Sequence, residues 1–146
     1  MTFNFSAGPS TLPRAVIEEA RDELVDYAGT GMSLVEMSHR GPEYSAVHEE
    51  AVGLVRSVFG VPDDFSVLFL QGGATLQFSM VPMNLLRPGV GGAYVLSGSW
   101  ASKAFADAQH YGEAYAAWDG AAVDYACMPG TGELELYRDT AYLHVT

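Results

Sequence analysis

Residues 66–78, SVLFLQGGATLQF, constrain the fold more than any other stretch of this chain. A short apolar run breaks at Gly72 and Gly73, and small and apolar residues then resume. The run at 66–70, bounded by turn signals, predicts a buried strand. Residues 75–86 predict a helix, with Pro82 expected to kink or interrupt it. Two glycines between such elements let the backbone turn sharply and approach a ligand closely. The N–H groups of Ala74, Thr75 and Leu76 would then be free donors at a helix start, a place that favours an anion, above all a phosphate. The Thr75 hydroxyl adds a donor. A packed turn in which Thr75 only caps the helix fits the same letters. The stretch is neither a P-loop, since no Lys-Ser/Thr pair follows, nor the GxGxxG dinucleotide fingerprint.

The rest of the chain has the same alternating character. Residues 1–12 read as an extended arm punctuated by Gly8 and Pro9. From Pro13, Val16, Ile17, Ala20, Leu24 and Tyr27 recur at helical spacing, with Gly29 and Gly31 expected to end the helix. MSLVEMSHRG is a short irregular link. A second helix starts near Pro42 on an apolar face of Tyr44, Val47, Ala51, Leu54 and Val58, and Gly60 and Pro62 stop it. Further strands are expected at 93–96, 114–118, 123–127 and 141–145, with a helix from Trp100 to about Tyr111. Apolar strands alternating with helices predict an α/β domain over 13–146, with a mostly parallel sheet and helices on both faces. The architecture reads as cut off after 146, because a parallel strand normally leads on to a covering helix.

Charge narrows the function classes. Seven basic residues face eighteen acidic ones, a net charge of -11. Such a chain is ill suited to a nucleic-acid backbone or an anionic membrane surface, both of which need clustered Lys and Arg. Cys127 is the single cysteine, which excludes an internal disulfide and a cysteine zinc site. His39, His48, His110 and His144 lack metal-ligand spacing, so no metal is expected. No secretory signal and no apolar run of membrane length is visible, which makes a soluble cytoplasmic protein the expectation.

Two further residues are candidates for ligand contact. Trp100 follows the SGS link at the end of an expected strand, where open α/β sheets place ligands, and an indole there can stack on a flat ring. Packing in the core is the competing reading. Arg40, in SHRG, has the planar fork that grips a carboxylate or phosphate, and an exposed arginine with a surface acid partner is its alternative. Lys103 is the only lysine.

The segments NFSAGPSTLP, EMSHRG, FLQGGATLQF and SGSWASKA, in this order and spacing, resemble the phosphoserine aminotransferase family. The similarity runs from Phe3 to Val145. It implies a fold-type I enzyme using pyridoxal 5′-phosphate, with glutamate and a phosphorylated three-carbon oxo acid as substrates, working as a homodimer. It maps cofactor-phosphate binding onto Ala74 and Thr75, ring stacking onto Trp100, and the substrate-carboxylate grip onto Arg40. It also implies that the lysine holding the cofactor as a Schiff base, and an aspartate at the pyridine nitrogen, lie beyond the region matched here. Lys103 does not match the catalytic position. The resemblance therefore marks the chain as the N-terminal part of such an enzyme, with no catalytic residue of its own and no activity alone. A different fold-type I enzyme, or a non-catalytic phosphate-binding fragment, stays open on the residues themselves.

Overall fold

The computed structural model describes residues 3–146; Met1 and Thr2, the start of the expected arm, lie outside the described residues. The chain forms two compact units, Met1–Leu68 and Phe69–Thr146.

In the first unit, residues 3–12 are exposed and without helix or strand, and the Thr11 hydroxyl donates to the Asn4 carbonyl at 2.8 Å. Helix α1 spans Arg14–Glu23. It ends before Gly29 and Gly31, the glycines expected to stop it, because Asp26 takes an extended backbone and its carboxylate accepts the Gly31 N–H at 2.7 Å. A 3-10 turn at Tyr27–Gly29 fills that loop. Ser33 and Glu36 then close a capping box over Leu34–Glu36. Helix α2 spans Pro42–Phe59, starting on a proline and ending on Gly60 at φ 62, as its sequence predicts.

In the second unit, α3 spans Gly73–Leu85, β1 Gly91–Leu96, α4 Ser99–Ala108, β2 Ala114–Asp119 and β3 Thr140–His144. The three strands form one parallel sheet in the order β2-β1-β3. The α/β class and the parallel sheet expected from the sequence are both present. Helix α3 passes through Pro82 without interruption, and Pro82 itself is buried.

Two expected strands are not formed. Residues 66–70 carry no regular structure, and Leu68, Phe69 and Leu70 are exposed. A strand exists only through its ladder, and among the described residues 66–70 pairs with none of the three strands of the sheet. At 123–127 the chain instead closes a 3-10 turn, Gly120–Val123, and then sets Asp124 and Tyr125 at φ 50 and 58. Two successive left-handed residues cannot continue a pleated strand.

The core lies against the central strand. Phe78 of α3, Tyr94 of β1 and Ala104 and Ala108 of α4 form one buried cluster. Alanines at 101, 104 and 108 let α4 lie close to the sheet. The opposite face of β1 is closed as well, with Ala93 and Val95 almost fully buried; burying Val95 contributes roughly 1.5–3 kcal/mol. Strand β1 begins two residues earlier than the sequence suggests. A Cβ on Gly92 would lie 2.6 Å from the Tyr142 ring, so this glycine gives its space to a cross-strand tyrosine. Among the described residues, no helix is long and apolar enough to cross a membrane.

Candidate functional site

The chain leaves β1 through α4 to β2 on one side, then returns past β1 to β3 on the other. Usual right-handed crossovers put these two connections on opposite faces, which opens a crevice beyond the carboxyl ends of β1 and β3. A cavity of about 530 Å³ lies there. Its walls are the start of α3 (Ala74, Thr75, Gln77, Phe78), Trp100 of α4, and His144 at the end of β3 with the two residues that follow it. Ala74, Thr75 and Trp100, singled out in sequence from two separate motifs, thus share one cavity.

The start of α3 is built by its glycines. Gly72 precedes the helix at φ 92, and a Cβ there would meet Leu76 Cδ2 at 2.4 Å and Leu76 Cβ at 2.6 Å. Gly73 follows at φ 61, facing open space. One sequence expectation needs correction. The Leu76 N–H is not free, because it donates to the Gly72 carbonyl at 3.3 Å as the first helical bond. At this helix start, the N–H groups of Gly73, Ala74 and Thr75 have no backbone partner among the described residues. No acidic side chain occupies the first turn to compete for them. Free donors and the positive end of the helix dipole together favour an anion at this point.

Trp100 lies in the first turn of α4, after Gly98. The Ser102 N–H and hydroxyl both donate to the Gly98 carbonyl at 3.0 Å and anchor that turn. The indole is 57% exposed, so it is not the core residue that its size would allow. Lys103 Nζ lies 5.4 Å from the ring centroid, within cation–π range.

The third wall was not legible as a site in the sequence. His144 stacks on Tyr94 at a centroid distance of 5.0 Å and meets Phe78 edge-on at 5.8 Å. Burial pushes its imidazole below the usual histidine range and so favours the neutral ring. Its Nε2 is hydrogen-bonded to Thr146 Oγ1, and the Ser97 hydroxyl donates to a backbone oxygen of Thr146 at 2.8 Å, tying together the segments that follow β1 and β3. Behind it, the Tyr94 and Tyr142 hydroxyls are bonded at 2.7 Å, and burial raises both phenols above their ordinary value. The available signal was positional: His144 and Thr146 stand at the carboxyl end of an expected parallel strand.

Arg40 belongs to the first unit. It is exposed, its N–H donates to Ser38 Oγ at 3.2 Å, and among the described residues its guanidinium makes no ion pair.

The chain matches the family described as aminotransferase class-V over residues 2–138. It is 48% identical, over 99% of its length, to the phosphoserine aminotransferase of Alkalihalobacillus alcalophilus, and covers 40% of that protein. Its fold is similar to the solved phosphoserine aminotransferase of Bacillus circulans subsp. alkalophilus, with a TM-score of 0.94 and 47% identity over 99% of this chain and 40% of that one. The pyridoxal-phosphate-bound phosphoserine aminotransferase of Trichomonas vaginalis is also similar, with a TM-score of 0.88 and 32% identity over 98% of this chain and 40% of that one. The chain thus spans about two fifths of the length of the relatives it matches.

Proposed function

The chain belongs to the class-V aminotransferase family, and from that premise we propose that it is the N-terminal part of a phosphoserine transaminase using pyridoxal 5′-phosphate. The observation that carries this reading is the meeting of free helix-start donors and an exposed indole on one cavity at the strand-order switch.

The residues present fit the cofactor in two respects. The N–H groups of Ala74 and Thr75, with no acidic neighbour in their turn, suit its phosphate. The exposed Trp100 suits its flat ring. When bound, the cofactor supplies the electron sink that lets an amino group leave one substrate and join another. This chain's part is to bind and orient. With the cofactor bound, the first turn of α3 would fix the phosphate end and Trp100 the ring plane, while the family resemblance assigns the substrate's α-carboxylate to the planar fork of Arg40. The overall exchange converts L-glutamate and 3-phosphohydroxypyruvate into 2-oxoglutarate and O-phospho-L-serine, a step of serine synthesis. The inferred homodimer, the cytoplasmic location and a second role in vitamin B6 synthesis are supported by the family resemblance alone. In this reading residues 1–12 are an arm, and 13–146 are part of the cofactor-binding domain.

The test uses the full-length protein that carries this segment. It should form O-phospho-L-serine from the two named substrates. Trp100→Ala should weaken pyridoxal 5′-phosphate binding about tenfold, read by absorbance titration, while Trp100→Phe retains most of the affinity. Absence of product, or wild-type affinity in Trp100→Ala, contradicts the reading.

A further inference from the structure

We propose that Thr146 is an additional binding residue of the cavity and that His144 positions its hydroxyl, an inference that rests on the cavity being the pyridoxal-phosphate site. Both residues line the cavity opposite the start of α3. The imidazole of His144 has little freedom, held face-on by Tyr94 and edge-on by Phe78. Its Nε2 meets Thr146 Oγ1. With Nε2 protonated, the neutral ring donates to Thr146, and the hydroxyl hydrogen of Thr146 is left for an acceptor in the cavity. The Ser97 hydroxyl donates to a backbone oxygen of Thr146 at 2.8 Å, which fixes the backbone beneath that hydroxyl. An exposed threonine at a strand end would otherwise rotate freely; here ring, backbone and hydroxyl are fixed together, which lowers the entropy cost of a ligand contact.

The test is a double-mutant cycle on pyridoxal 5′-phosphate affinity in the full-length protein, read by calorimetric titration. His144→Phe keeps a ring between Tyr94 and Phe78 and removes the nitrogen. Thr146→Val keeps the shape and removes the hydroxyl. Each should weaken binding about threefold to tenfold, the effect of one hydrogen bond. The double variant should bind no more weakly than the poorer single variant, because both changes remove the same contact. His144→Gln, whose amide still offers a donor, should recover most of the affinity. Wild-type affinity in either single variant, or losses that add, would overturn the proposal. If His144→Phe fails to fold, the exposed Thr146→Val decides alone. If the unmutated protein does not bind the cofactor, the functional reading falls and this proposal with it; if it binds and the variants bind equally, only this proposal falls.

Discussion

The 146-residue chain, purified and supplied with pyridoxal 5′-phosphate, glutamate and 3-phosphohydroxypyruvate, is expected to show no transamination. The reason is chemical. Transamination on this cofactor needs a lysine amine that first binds it covalently and then moves the substrate's proton. The only lysine here is Lys103, and its ammonium sits 5.4 Å from the centroid of the Trp100 ring. With its ammonium engaged on the indole proposed to stack on the cofactor, Lys103 is not the free amine that this step needs. Two measurements check this. Borohydride reduction followed by mass spectrometry should leave Lys103 unmodified. In the full-length protein, Lys103→Arg should retain turnover within a few-fold, since it keeps the cation over the indole. Turnover by the isolated chain, or its loss in Lys103→Arg, would contradict the assignment.

The second large effect is expected at Gly72. Gly72→Ala in the full-length protein should cost roughly 2–5 kcal/mol, as the sum of two penalties. A non-glycine residue in the left-handed region costs roughly 1–2 kcal/mol. The new methyl would also lie 2.6 Å from the Leu76 Cβ, a contact that no rotamer of Leu76 relieves; overpacking of this kind costs roughly 1–3 kcal/mol. The strain falls on the first turn of α3, so cofactor affinity should fall together with stability. Gly73→Ala is the control. It shares a positive φ, but nothing lies within 4 Å of its Cβ, so only the backbone penalty applies. Denaturant unfolding of the two variants should separate them clearly, and equal costs would refute the packing argument.

These contrasts also show what could be read from the letters. Local features were legible. The apolar spacing of α2, its proline start and its Gly60 stop appear as the sequence implies. So does the glycine turn before α3, because φ values of 92 and 61 are a property glycine supplies by itself. Features that depend on a distant partner were not legible. The run at 66–70 has strand composition but no ladder beside it. Gly91 and Gly92 look like loop residues and are strand residues, since the space above Gly92 is filled by Tyr142, fifty positions away. The turn after β2 is set by Asp119 accepting the Ala121 N–H at 2.9 Å, and it leads into residues 123–127, where the pattern alone suggested a further short strand.

The candidate site divides in the same way. Ala74, Thr75 and Trp100 were accessible because glycine turns and strand-to-helix links announce themselves locally. His144 and Thr146 enter the cavity only because β3 lies next to β1, a pairing that brings together residues about fifty apart in the chain.

The most direct test of the central claim is a crystal structure of the full-length protein with pyridoxal 5′-phosphate bound. Phosphate oxygens should lie about 3 Å from the backbone nitrogens of Ala74 and Thr75. The pyridine ring should stack on Trp100, with ring centroids about 4.5–7 Å apart. A phosphate held elsewhere, with those N–H groups turned to solvent and Trp100 clear of the ring, would contradict it.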